Sequence, residues 1–298
     1  MSGYARQTTP QLAALPVINF SDVTSCGTNT EMSLPCMFAP VGRRDYDEAA
    51  HPRQRGLLQV LARAGVAVHW RDNQSGCKGV CDGLSNDTVQ GLNAPGLCAD
   101  GRCLDEGLLQ GIDRRLAQAQ GTQVLVLHQL GNHGPAYFRR YPPAFARFTP
   151  ACEDEDLQHC TREQIVNAYD NALLYTDHVL ALLISQLQAR ASSVDSALVV
   201  RLRPWRVARR EAPVSARHAV CHRARCADQG ADGAVGIAGF AEATGLDLGC
   251  MRQQAKASVG HDHLFHTMLG LLDVNTALYE PQWDFTAACR RSAAAVQR

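Results

Sequence analysis

The chain has 298 residues, 46% of them hydrophobic, and its 29 basic and 29 acidic side chains cancel to a formal net charge of zero. That balance removes any general attraction to nucleic acid or to an anionic bilayer, which needs an excess of Lys and Arg, so any basic patch is local. No apolar run approaches the ~18 residues of a bilayer span, and the opening MSGYARQTTP lacks the apolar core of a signal peptide, so no nucleic-acid partner, membrane span or export signal is expected in this chain.

In chain order, LPVIN reads as a strand that feeds the Thr- and Ser-rich loop NFSDVTSCGTNTEMSLPC, with a helix following. AVHW (Ala67 to Trp70) and QVLVLHQLG (Gln123 to Gly131) are short β-rich runs bounded by turn residues. Between them LDEGLLQGIDRRLAQ places Leu104, Leu108, Ile112 and Leu116 on one helical face. Thr161 and Gln164 have capping-box spacing, which predicts a long helix through AYDNALLYTDHVLALLISQLQAR; ALVV is the next strand. DLGCMRQQAK and HDHLFHTMLGLLDV read as helices, the second capped by Asp262. This alternation predicts an α/β fold with a mostly parallel central sheet and helices on both faces. No internal repeat or linker is visible, so 1–298 reads as one domain.

The 12 cysteines fall mostly in close pairs: Cys26 with Cys36, Cys77 with Cys81, Cys98 with Cys103, Cys152 with Cys160, and Cys250 with Cys289 further apart. Structural zinc is the competing reading, but the pairs lack matched histidines and regular finger spacing. Disulfides formed in an oxidising compartment are the better account. Cys221 and Cys226 are left over, in a segment that stands apart from the rest.

In sheets of this kind chemistry collects on loops at the carboxyl ends of strands. Thr30 is expected at a helix N-terminus, where unpaired amides favour an alkoxide or a phosphoryl group. His133 follows the strongest strand. A capping threonine and a structural histidine are the plainer readings of the two residues taken singly.

Taken together, TSCGTNTEMSLPCMF, WRDNQSGCKGVCD, GNHGPAYFRRYP, FTPAC and NAYDNALLYTD resemble, in order, the soluble domain of the lipid A phosphoethanolamine transferases, the family that includes the colistin-resistance enzymes. The resemblance implies an alkaline phosphatase/sulfatase-like fold in a periplasmic domain tethered to the inner membrane. It implies zinc as cofactor, and phosphatidylethanolamine and lipid A as donor and acceptor. Thr30 matches the nucleophile that is also a metal ligand. His133 matches a histidine near the phosphoryl group or a second zinc, and Thr28 and Lys78 match positions linked to phosphoethanolamine binding. A sulfatase is a poorer match, because the Cys-x-Pro-x-Arg signature is absent.

The departures concern the metal. The family's glutamate comes from a strand just before SGYARQTTPQLAA and is expected to precede Met1. Its adjacent Asp-His pair belongs to SDHGES after the last strand, with a further histidine in YLHGMPYAIAP. After Val200 this chain instead reads RLRPWRVARREAPVSARHAVCHRAR. Written in GC-rich codons and read one register over, Val-Ser-Asp-His-Gly becomes Leu-Arg-Pro-Trp, and Leu-Tyr-Leu-His-Gly-Met-Pro becomes Pro213 to Ala219. Arg201 to about Gly239 is therefore read as a shifted-frame translation of the metal-binding segment.

Two other readings of that segment are open: a zinc module built on His218, Cys221, His222 and Cys226, and an arginine arm for phosphate backbones. Neither explains why the segment decodes to the missing motif. Arg201 to Ala238 is expected to be irregular, with one strand region disrupted where DGAVGIAGF stands, and the chain to bind zinc weakly. His261 and His263, which flank a helix cap, are not read as ligands.

Overall fold

The computed structural model describes residues 6–27, 30–47, 56–92, 94–201, 232–236 (main chain) and 238–291. Thr28 and most of the arginine-rich segment, with His218, Cys221, His222 and Cys226, lie outside them. The first half runs α1 (Pro10–Ala13), β1 (Ile18–Phe20), β2 (Asp22–Thr24), α2 (Thr30–Met37), α3 (Leu57–Arg63), β3 (Ala67–Asp72), β4 (Ser85–Thr88), β5 (Cys98–Ala99), β6 (Arg102–Cys103), α4 (Ile112–Ala117) and β7 (Gln123–His128). The second runs α5 (Arg162–Ala189), β8 (Ala197–Val200), β9 (Asp232–Gly236), α6 (Ala238–Ala243), α7 (Leu248–Gln254), β10 (Ser258–Gly260) and α8 (His263–Leu271).

The α/β class holds. β3 lies between β4 and β7, parallel to both, and β10 is parallel to β2. Alternation along β7 sends side chains to two cores, as a strand covered on both faces requires. Val124 and Val126 pack on the cluster of Leu57, Leu58, Leu61, Trp70, Phe265 and Leu269, contributed by α3, β3 and α8. Leu125 and Leu127 pack on Ile112, Tyr175, Val179 and Leu183 of α4 and α5. Each of these fully buried aliphatic side chains contributes about 1.5–3 kcal/mol.

α5 starts where its capping box requires: the Thr161 hydroxyl accepts from Gln164 N while the Gln164 side chain accepts from Thr161 N at 2.8 Å. Asp177 on α5 reaches across to accept the main-chain N–H groups of Gln11 and Leu12, fixing α1 to the helix.

Beside the parallel pieces, among the described residues β1, β9 and β8 form an antiparallel sheet. The separation begins at Ser21 between β1 and β2, whose N–H donates to Ala255 O rather than to a neighbouring strand. Three expectations are corrected. The stretch expected to be irregular contains β9, paired with β1 and β8; ladder pairing uses only main-chain groups, which a shift of reading frame leaves intact. The helix expected across LDEGLLQGIDRRLAQ breaks into a 3-10 turn (Asp105–Leu109) and α4, because Gly111 takes φ +71° between them. Asp262 precedes α8, but its carboxylate makes no cap and instead accepts from Arg43 N at 3.0 Å.

Candidate active site

The site is built from the loops that leave the carboxyl ends of β2, β3 and β7. After β2 the chain turns through Ser25, whose hydroxyl donates to Gly27 O at 2.8 Å, and enters α2 at Thr30. The Cys26–Cys36 disulfide ties the turn to the last part of the same helix, and Ser33, Leu34, Cys36 and Met37 bury its inner face. Thr30 thus stands at the N-terminal end of a helix tied to its strand. Glu31 beside it is the acidic residue a helix's first turn favours. From below, Asp262 approaches so closely that a Cβ at Gly42 (φ +53°) would lie 2.7 Å from its carboxyl carbon.

Lys78 is carried by the loop after β3. Asp72 ends that strand and accepts the N–H groups of Gln74 and Gly76 at 2.9 and 3.0 Å, which curls the loop back on itself. The Cys77–Cys81 disulfide closes the next turn, and Lys78 within it takes φ +51°. Val80 and Cys81 are buried against the cluster that holds Leu34, Met37 and Phe38, so this turn packs on α2 and its neighbours. The Lys78 ammonium lies 3.6 Å from the Glu31 carboxylate. Two residues singled out in the sequence, Thr30 and Lys78, are therefore brought to one turn of α2.

His133 is carried by the loop after β7. Its side chain is exposed, with Nδ1 3.1 Å from Gly134 O, and its carbonyl accepts from Arg140 Nε at 2.9 Å. The loop is anchored by Asp105, buried at the start of the 3-10 turn. One carboxylate oxygen accepts from Asn73 Nδ2 and Leu130 N at 2.8 and 2.9 Å, and the other from Gly131 N at 2.6 Å. Burial pushes the Asp105 carboxyl above the ordinary carboxylate range, against the pull of those three donors.

Asn73 belongs to the Lys78 loop, so Asp105 couples the two loops. Gln74 adds a bond from its side chain to Gln129 O at 2.7 Å. Beneath both, Asp72 pairs with His128 at 2.6 Å. Burial opposes ionisation of Asp72, but the His128 bond and the N–H groups of Gly76 and Gln74 outweigh it and hold its pKa below the usual value.

Asp72, Asp105, His128 and Glu31 were missed in the sequence. The available signal was position: acidic and polar groups at strand ends or just after a cysteine hairpin, where the main chain needs acceptors.

Whether these residues fit a metal ion can be tested directly. A zinc site takes three or four nitrogen, sulfur or oxygen ligands from the protein. Among the described residues the one cluster within reach is Cys26, Cys36 and Asp262, and its sulfurs are bonded to each other, so they offer no thiolate. At the end of β8 stands Arg201, whose guanidinium donates to Gly260 O at 3.0 Å: a cation at the strand end from which ligands were expected to come. The described residues do not complete a metal centre.

The remaining disulfides, Cys98–Cys103, Cys152–Cys160 and Cys250–Cys289, close the pairs read from the sequence. Among the described residues no helix is long and apolar enough to cross a membrane.

Residues 1–200 match the family model described as Sulfatase. Phosphoethanolamine transferase EptA of Salmonella typhimurium is 38% identical over 307 residues, which cover 98% of this chain and 53% of the relative, so the chain spans about half the length of that curated relative. The crystal structure of the soluble domain of lipooligosaccharide phosphoethanolamine transferase A from Neisseria meningitidis superposes with a TM-score of 0.83 at 38% identity, covering 97% of this chain and 87% of that one. The C-terminal periplasmic domain of EptC from Escherichia coli, solved as a complex with Zn, shares the fold at 19% identity, with a TM-score of 0.69 over 98% of this chain and 82% of that one.

Proposed function

The chain belongs to the sulfatase family, among its phosphoethanolamine transferases, and from that premise we propose that residues 1–298 form one catalytic domain for transfer of phosphoethanolamine from phosphatidylethanolamine to lipid A, facing the periplasm, with Thr30 as nucleophile. In this reading Thr30 Oγ attacks the donor phosphorus and displaces diacylglycerol. An oxygen of a lipid A phosphate then attacks the phosphothreonine and regenerates the hydroxyl. Lys78 holds the phosphoryl oxygens, with Thr28 and His133 as further headgroup contacts. The observation that carries the reading is the convergence on one helical turn: Thr30 opens α2, disulfide-tied to its strand, and Lys78 reaches Glu31 in that turn at 3.6 Å. The five disulfides support the oxidising compartment.

The family's zinc does not fit the described residues, and the chain as written is proposed to be catalytically impaired. A threonine hydroxyl at its ordinary pKa is a weak nucleophile without a metal or an adjacent base. The alternative we carry is a non-catalytic fragment that at most holds a phosphorylated headgroup through Thr28, Thr30, Lys78 and His133. The test is intact-mass and peptide analysis after incubation with phosphatidylethanolamine vesicles and zinc. Thr30 should stay unmodified in this chain. It should acquire phosphoethanolamine in a companion whose residues 201–239 are rewritten in the alternative frame and which is extended upstream through the glutamate strand. Modified Thr30 in the chain as written overturns the impairment; unmodified Thr30 in both overturns the role of Thr30.

A further inference from the structure

Glu31 has no part in the transfer as set out above. It is an exposed residue, with 78% of its side chain open to solvent, so it serves no packing purpose. Favourable interaction with the α2 dipole accounts for an acid in the first turn, but not for the second fact about it. The Lys78 side chain, only 24% exposed, is carried by a disulfide-closed turn with its ammonium 3.6 Å from the Glu31 carboxylate. A positive and a negative group are therefore presented side by side, immediately next to Thr30.

That arrangement is the complement of a zwitterion. A phosphoethanolamine headgroup carries a phosphodiester or phosphomonoester anion and, two methylene groups away, a primary ammonium. With the phosphate on Lys78, the neighbouring carboxylate is the acceptor for the ammonium. Its three N–H donors make charge-assisted hydrogen bonds that a quaternary ammonium, lacking N–H, cannot make.

We infer that Glu31 is a specificity-determining residue that selects the primary ammonium of the headgroup, with the Lys78–Glu31 ion pair opening to take the zwitterion between its two charges. The inference rests on the reading that the Thr30–Lys78 turn receives the headgroup. It requires the headgroup alone, whether free or carried on a diglyceride.

Calorimetric titration of the full chain with O-phosphoethanolamine, ethyl phosphate, phosphocholine and dihexanoyl phosphatidylethanolamine tests it, with amide shifts of Glu31 and Lys78 reporting the place of binding. The pair is partly solvated, so the expected preference is modest: O-phosphoethanolamine over ethyl phosphate and phosphocholine by about two- to fivefold. Glu31→Gln, at an exposed position that leaves the fold intact, should abolish that preference while retaining phosphate binding, and Lys78→Ala should weaken all four probes. Binding of the dihexanoyl lipid with the same Glu31 dependence assigns the site to the lipid headgroup; binding of the free ester alone assigns it to the soluble compound.

Glu31→Gln that tightens every phosphate equally overturns the inference, leaving Glu31 as a screen on Lys78. So does a preference that survives the substitution. If none of the probes binds the chain, or if Lys78→Ala changes nothing, the headgroup reading of this turn falls first and takes the inference with it.

Discussion

Asp105→Ala tests the coupling of the two loops. The carboxylate serves three donors, Asn73 Nδ2, Leu130 N and Gly131 N, at 2.6 to 2.9 Å, and only 7% of the residue is exposed; removing it takes the acceptor from the Leu130 and Gly131 N–H groups and leaves Asn73 Nδ2 with Cys103 O alone. An orphaned buried donor costs about 1–3 kcal/mol. Local relaxation and entering water recover part of the sum, and wild type already bears the desolvation of a buried carboxylate, so the net loss should be about 3–4 kcal/mol at neutral pH.

The sign of the pH dependence follows from the raised carboxyl. Between the unfolded and the higher folded pKa, the native state binds more protons, so wild type gains stability as pH falls through that window and loses it as pH rises. The deficit of Asp105→Ala relative to wild type should therefore widen toward acid. Urea unfolding followed by far-UV circular dichroism at several pH values reads the difference by linear extrapolation, and amide exchange should show lost protection at Leu130 and Gly131 with β7 retained. A deficit below about 1 kcal/mol, or unchanged protection at those two amides, refutes the assignment of Asp105 as their anchor.

Other outcomes follow from the same bookkeeping. Arg71→Met should destabilise by about 3–5 kcal/mol in urea unfolding, because the buried guanidinium grips both Asp87 oxygens at 2.8 and 2.9 Å and donates to the carbonyls of Leu108 and Gln110. Thr161→Ala should cost about 0.5–2 kcal/mol by opening the cap of α5, with loss of amide protection confined to its first turn. For Asp72, whose folded pKa is depressed, the stabilisation is present above the unfolded pKa and lost as pH falls through the folded one. Asp72→Asn should accordingly flatten that acid limb of the stability profile; an unchanged limb would show that Asp72 does not generate it.

Elements whose signal is local were legible. The Thr161 box, the apolar runs ALVV and QVLVLH, and cysteines four to ten residues apart all carry their partners within one short window. The polar network at the site was not, because Asp105 meets Asn73 and Leu130 across 32 and 25 residues, and Asp72 meets His128 across 56. Strand partnership fails for the same reason: nothing within Asp232–Gly236 announces that it will lie between β1 and β8. Of the candidate site residues, Thr30 is visible from its place at a helix start and Lys78 from a family likeness, whereas Glu31, which joins them, reads in isolation as an unremarkable surface acid.

The antiparallel pairing of β8 with β9 matches Val200 with Gly233 across a single rung. Two positions far apart in the chain are thus held as neighbours on one sheet. A change at either one is therefore felt at the other, whatever their distance along the chain.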